Sequence, residues 1–278
     1  MISNRDIPVR GEIKMIDMHN HILFGTDDGP ETIEESVRMV EAAVEAGFDR
    51  LMLTPHYFPN GPYLKTAAEN QEKFDLLSKV VERAGIQATL YLGNEIMYAY
   101  QVPDLICSGD FKSLGNTCYF LLETQRRGAT AEGLLGVVRK LENMGFYSIF
   151  AHPERVDFVQ EEPEILNDFI RRGCLIQCNY LSLTDYYGPM PEKTMKELLK
   201  MKLVHTLGSD AHQKEAYELW DQAQESGRAA AGEEYWKQIT VDNPEKILSG
   251  EKLVPEAGPV SMTVSSYLGK TDLNIIFN

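Results

Sequence analysis

Five times along the chain a helical pattern gives way to a short apolar run that closes on a polar side chain. "TIEESVRMVEAAVEAG" leads into "FDRLMLTPH", and "TAAENQEKFDLLSKVVERAG" into "IQATLYLGNE". "TAEGLLGVVRKLENMG" leads into "FYSIFAHPE", "EEPEILNDFIRRG" into "CLIQCNY", and "PEKTMKELLKMK" into "LVHTLGSDAH". Thr32 with Glu35 and Thr66 with Glu69 have capping-box spacing, in which side chains satisfy the orphan amides of a helix start. Gly47, Gly85, Gly145 and Gly173 stand where a helix leaves through a left-handed residue. The apolar runs are short and nearly continuous, as in parallel strands covered on both faces. Such alternation predicts right-handed βαβ units and a parallel sheet.

Adding "EIKMIDMH" at the start and "CYFLLE" at 118–123 makes about seven strands. An open doubly wound sheet would collect its functional residues at one crevice, on two or three strands. Here nearly every strand ends in a candidate ligand, and only closure into a barrel brings all those ends together. We therefore expect an α/β fold, a distorted TIM-like (β/α)7 barrel. It should form one domain over residues 1–278, with the barrel at about 12–253. No Pro-, Gly- or Ser-rich linker divides the chain. Residues 1–11 form a short extension, and the tail 255–278 has no assigned role.

Composition narrows the function. With 42 acids against 27 bases the formal net charge is −15, which disfavours a nucleic acid or an anionic membrane as partner. No stretch approaches the ~18 apolar residues of a membrane span, and no apolar signal region opens the chain. The four cysteines (Cys107, Cys118, Cys174, Cys178) lack C-x-x-C spacing and read as free thiols. A cytoplasmic protein is expected.

The polar residues that close the runs carry the chemistry. His19 and His21 alternate with Met18 and Asn20, so on a strand both imidazoles share one face. His56 closes "LMLTPH", Glu95 "LYLGNE", Glu123 "YFLLE" and His152 "SIFAH", while Asp210 and His212 form a D-x-H pair. His205 lies within its apolar run and reads as structural. One catalytic zinc takes three protein ligands plus water, so this set suits two or three ions sharing carboxylates. Nitrogen and oxygen donors suit manganese, iron, zinc or magnesium, and cobalt as well.

H-x-H on the first strand, H on the second, E on the third, H at mid-chain and D-x-H near the end resemble the polymerase-and-histidinol-phosphatase (PHP) metallophosphoesterases. "MIDMHNHILFGTDDGP", "TPHY", "AHPER", "SDAH" and "VDNPEKIL" are similar, in order and spacing over roughly 15–253, to one branch of that family. It comprises the bacterial manganese-dependent protein tyrosine phosphatases of capsule and exopolysaccharide loci. The resemblance implies a first ion on His19, His21, Glu95 and Asp210. Glu95 would bridge to a second, with Glu123 and His152, and Asp28, His56 and His212 would hold a third. Asp28, where histidinol phosphatases usually carry histidine, favours the tyrosine-phosphatase branch. The branch also implies two phosphate-binding arginines. Arg155 matches the first; none follows the D-x-H pair, and Arg126 and Arg127, after Glu123, are the basic pair able to substitute. The implied partner is a phosphotyrosine protein, the tyrosine-rich tail of a polysaccharide-export kinase.

Two ions about 3.5–4 Å apart can activate a bridging water and clamp phosphoryl oxygens for in-line displacement. Arg155 would pair with the equatorial oxygens, and Asp28 or His212 would be the proton donor. A thiolate route is excluded, because the sixth residue after each cysteine is never arginine. In "HYFPNGPY", Tyr57, Phe58 and Tyr63 are candidates to stack on a substrate ring. The alternatives are a phosphatase for small phosphomonoesters, such as histidinol phosphate or a nucleotide, and a metal-stabilised binding protein without turnover. An amidohydrolase ranks last, because glutamates rather than a modified lysine end the relevant strands.

Overall fold

The computed structural model describes residues 15–59 and 61–258, so most of the tail and the N-terminal extension lie outside the described residues. Among the described residues nine strands are interspersed with helices: β1 (Met15–Asn20), β2 (Phe48–Leu53), β3 (His56–Tyr57), β4 (Thr89–Leu92), β5 (Glu95–Met97), β6 (Tyr119–Glu123), β7 (Tyr147–Ala151), β8 (Leu175–Asn179) and β9 (Thr206–Gly208). Every pairing between them is parallel. They form a three-stranded sheet in the order β1-β2-β4 and a six-stranded sheet in the order β3-β5-β6-β7-β8-β9.

Two of the expected strands are therefore each broken in two. The run 48–57 breaks at Thr54–Pro55 and the run 89–97 at Gly93–Asn94. Pro55 has no amide to contribute to a ladder. A Cβ on Gly93 would lie 2.7 Å from Leu114 Cδ2 and 3.1 Å from Leu114 Cα, so glycine lets the Leu114 backbone approach closely. Asn94 bridges the break, donating to Pro55 O at 2.9 Å and accepting from Lys112 N–H at 2.9 Å. As a result His56 and Glu95 open β3 and β5 instead of closing the longer runs.

The two sheets meet again where the chain's first and last strands adjoin. Asp210 N–H donates to His19 O at 2.8 Å, and His21 N–H donates to Ala211 O at 3.0 Å. The sheets thus curl around an interior. On the inner face of β6, Tyr119, Leu121 and Glu123 follow one another at the strand period, as do Leu175, Gln177 and Asn179 on β8. Ile16, Met18, Met52, Tyr119, Leu121, Ile149 and Leu175 fill the lower interior, joined by Ile247 from the helix Asn243–Leu248. Apolar layers below and polar side chains at the carboxyl ends are the arrangement in which parallel α/β folds build sites.

The outer helices follow their expected signals. Both capping boxes form, at Ile33–Ala46 and Ala67–Arg83, and Gly47, Gly85, Gly145 and Gly173 all have positive φ. A larger core between helices and strands includes Val40, Leu51, Leu77, Leu134, Phe150, Phe169, Leu198 and Trp220. Among the described residues no helix is long and apolar enough to cross a membrane.

Candidate metal centre

The strand ends, with the loop that follows β1, bring all nine expected residues to one place. His19, His21, Glu95 and Asp210 form one group with a ligand atom of each within 4.8 Å of the others. His56, Glu95 and Glu123 form a second such group, and His21, Asp28, His56 and His212 a third. Glu95 is the hub. Its Oε2 lies 3.3 Å from Nε2 of both His19 and His21 and 2.9 Å from His56 Nδ1. Its Oε1 lies 2.6 Å from His152 Nε2. His152 Nε2 is also 4.0 Å from Glu123 Oε2, so it stands beside both glutamates, as does His56, whose Nδ1 is 2.9 Å from an oxygen of each.

Several elements aim these groups. His152 and Asp210 both have left-handed φ values, 35° and 53°, an uncommon state for non-glycine residues that is concentrated at functional sites. Each turns the chain inward after a strand. The Asp210 carboxylate lies 3.3 Å from His21 Nε2 and accepts from Asn179 Nδ2 at 2.8 Å. Arg155 Nη1 donates to the same carboxylate at 2.5 Å and its guanidinium packs 3.9 Å from the Tyr187 ring centre.

Around the ligands stand residues that the pattern of strand ends did not reveal. Asp27 Oδ2 lies 2.7 Å from His21 Nδ1 and accepts from His56 N–H at 2.9 Å. Gln177 Oε1 lies 2.8 Å from His19 Nδ1. Asp17 is fully buried and accepts from Ser209 N–H and Oγ and from the Tyr217 hydroxyl, at 2.7–2.8 Å. Partners such as Asp27 and Gln177 orient imidazoles and fix their tautomers, while Asp17 braces the backbone that carries His19 and Asp210. The available signals were slight: Asp27 adjoins Asp28, and Gln177 shares the inner face of β8 with Asn179.

The electrostatics suit cations. Burial alone would raise the Glu95 carboxyl, yet His19, His56 and His152 hold it well below the usual range. Burial alone would lower His56, yet Glu95 and Glu123 raise it to about 10. Three buried atoms, His56 Nδ1, Glu95 Oε2 and Glu123 Oε1, have no hydrogen-bond partner among the described residues although His56 Nδ1 is 2.9 Å from each oxygen. Lone-pair atoms that converge without hydrogen-bond geometry are the donor set a divalent cation requires, and the all-oxygen-and-nitrogen chemistry fits one.

Other expected residues fall differently. Asp28 is 3.2 Å from His212 Nε2, and that contact, outweighing partial burial, lowers its carboxyl to about 2. Asp28 and His212 thus face each other across the third group. Tyr57 is buried against Phe111, with ring centres 4.9 Å apart, and faces away from the ligands. Phe58 and Tyr63 pack on His56 at 4.8 and 5.4 Å. His205 is buried just before β9 and accepts from Ile176 N–H at 3.0 Å, as a structural histidine would. A cavity of about 380 Å³ opens over the ligands, lined by Asp28, His56, Glu123, His152, Arg155 and Asp210, and at its rim by Arg126, Tyr186, Tyr187 and His212. Arg127 does not line it.

A curled parallel α/β scaffold whose strand ends gather overlapping histidine–carboxylate groups defines a protein able to hold metal at the mouth of its sheet. Within that class, the chain belongs to the capsular polysaccharide synthesis family CpsB/CapC, whose profile matches residues 15–249. The tyrosine-protein phosphatase YwqE of Bacillus subtilis (strain 168) is 32% identical over 200 residues, which span 71% of this chain and 77% of that protein. The crystal structures of YwqE from Bacillus subtilis and CpsB from Streptococcus pneumoniae, described as unique metal-dependent tyrosine phosphatases, superpose with a TM-score of 0.82 at 27% identity. The match covers 88% of this chain and 99% of that one. A histidinol phosphate phosphatase from Lactococcus lactis shares the fold, with a TM-score of 0.54 at 17% identity.

Proposed function

We propose that this protein is a metal-dependent protein tyrosine phosphatase that hydrolyses phosphotyrosine on the tyrosine-rich tail of a polysaccharide-biosynthesis kinase. The observation that carries this is the convergence of His19, His21, His56, Glu123, His152 and Asp210 on Glu95, beneath a cavity that also exposes Arg155. Membership of the CpsB/CapC family and similarity to proteins named tyrosine phosphatases support the substrate class.

In this proposal His19, His21, Glu95 and Asp210 hold one ion, Glu95, Glu123 and His152 a second, and Asp28, His56 and His212 a third, with manganese the favoured metal. When bound, such ions supply Lewis acidity for the phosphoryl oxygens and an activated water. The chain's own side chains do the rest. Arg155 presents a guanidinium to the oxygens on which charge develops. Where only the first two positions are filled, His212, at the cavity rim, gives a proton to the departing phenolate. A phenol has a pKa near 10, so weak donation suffices where an aliphatic alcohol would need more. The nine short strands act as the distorted seven-membered barrel, a single cytoplasmic catalytic unit over about residues 12–253.

The test is phosphate release from a phosphotyrosine peptide across a panel of divalent metals, with and without chelator, beside histidinol phosphate and nucleotide monophosphates. Metal-restored release from the peptide in preference to the small esters is expected. Preference for a small ester would replace this substrate assignment, and absence of hydrolysis with every metal would overturn the enzymatic proposal.

A further inference from the structure

Two cationic side chains other than histidine line the cavity over the ligands, Arg126 and Arg155. They are not equivalent. Arg155 is buried, donates to Asp210 at 2.5 Å and lies over Tyr187, so much of its charge is already answered by a carboxylate. Arg126 is exposed on the loop after β6, and its side chain makes no ion pair among the described residues. A phosphomonoester brings about two negative charges and three acceptor oxygens, so the oxygens turned away from the proposed cations leave room for a second guanidinium beside Arg155.

The loop carrying Arg126 is also tied to the turn carrying Arg155. Asp157 stands two residues after Arg155; its N–H donates to Arg126 O at 3.0 Å. Its carboxylate accepts from Gly128 N–H at 2.9 Å, where Gly128 has φ +74°. Two bonds from one residue thus clamp both sides of the Arg126–Arg127 step. They set the backbone of Arg126 at a fixed place relative to Arg155, although the two residues come from different strand ends.

We propose that Arg126 is a phosphoryl-binding residue of this site, closing on the substrate dianion from the rim, and that Asp157 is its positioning residue. This rests on the phosphatase function proposed above and names a side chain that completes its substrate contacts. Arg127, adjacent in sequence but away from the cavity, serves as the internal control.

The experiment compares wild type with Arg126→Ala, Arg126→Lys, Arg127→Ala, Asp157→Asn and the Arg126→Ala/Asp157→Asn double variant, each with metal content measured. Substrates are a phosphotyrosine peptide and p-nitrophenyl phosphate, and direct binding is read as the rise in unfolding midpoint with inorganic phosphate. Arg126→Ala should lower kcat/KM ten- to a hundredfold on both substrates and abolish most of the phosphate-induced rise. Arg126→Lys should recover part of each, and Arg127→Ala should stay within twofold of wild type. Asp157→Asn should cost severalfold alone and nothing further in the Arg126→Ala background. Equal behaviour of the Arg126→Ala and Arg127→Ala variants would overturn the proposal, as would a loss confined to the peptide, which would place Arg126 on the substrate's flanking residues. A wild type inactive on both substrates would instead fail the phosphatase proposal on which this one stands.

Discussion

Asp27 Oδ2 lies 2.7 Å from Nδ1 of His21 and also accepts the backbone N–H of His56 at 2.9 Å, so one buried carboxylate orients two of the proposed metal-binding residues. Its neighbour Asp28 points the other way, towards His212. Consecutive aspartates thus play separate parts, one behind the imidazoles and one among them.

Removing the Asp27 carboxylate should loosen the metal without removing a ligand. Partners of this kind typically contribute 10–100-fold in metal affinity or activity. Asp27→Asn is expected to show a weakened divalent-metal titration by about that factor while keeping its helical content. An unchanged titration would mean that Asp27 serves packing alone.

Glycine at 208 is a second requirement. A Cβ there would lie 2.4 Å from His19 Cβ and 3.1 Å from His19 N, contacts that backbone must move to relieve. Gly208→Ala should therefore destabilise the fold by about 1–3 kcal/mol, the usual range for overpacking a close contact. It should also lower metal affinity, because the displaced residue is a proposed ligand. Chemical denaturation and metal titration of the same sample separate the two effects.

Withdrawing metal should lower stability as well as activity. Ligand binding to the folded state alone adds about 2.7 kcal/mol at a hundred times Kd, and here the cations would engage His19 and His21 together, whose Nε2 atoms are 3.2 Å apart. Chelation is expected to lower the unfolding midpoint by several degrees, and added manganese to restore it. A midpoint indifferent to both would argue against tightly held ions.

His205 makes a pH prediction free of the metal site. Its burial lowers its pKa from an ordinary 6.5 to about 4, so between those values the unfolded chain binds the proton and the folded chain does not. Stability should fall as pH drops from about 6.5 towards 4, by up to about 3 kcal/mol at 1.36 kcal/mol per unit. His205→Gln, which keeps an acceptor for Ile176 N–H, should be less stable at neutral pH but have a shallower slope across this window. Identical slopes in denaturant unfolding would refute the assignment.

Much of the scaffold was legible in local chemistry. Capping boxes at Thr32 and Thr66 and left-handed glycines at 47, 85, 145 and 173 act within a few residues of themselves, so their effect survives in any tertiary context. Most of the proposed ligands were legible too, because they follow apolar runs in a parallel α/β pattern, and such ends gather at one face; Asp28 was legible only through the family resemblance. The breaks at Pro55 and Gly93 were harder to see. Gly93 matters only because Leu114, from a distant turn, presses against it. The orientation of Tyr57 was misread for a similar reason: its partner Phe111 lies more than fifty residues away.

Sequence by itself thus determined the alternation of strands and helices, the caps and which side chains could bind a cation, since these depend on spacing and residue type. Only tertiary structure decided that Glu95 is the hub, that Asp27 and Gln177 stand behind the imidazoles, and that Arg126 and Arg155 share one cavity. Those relations join residues far apart in the chain through contacts of a few ångströms, and such distances are set by how the strands curl and pack, which no local pattern encodes.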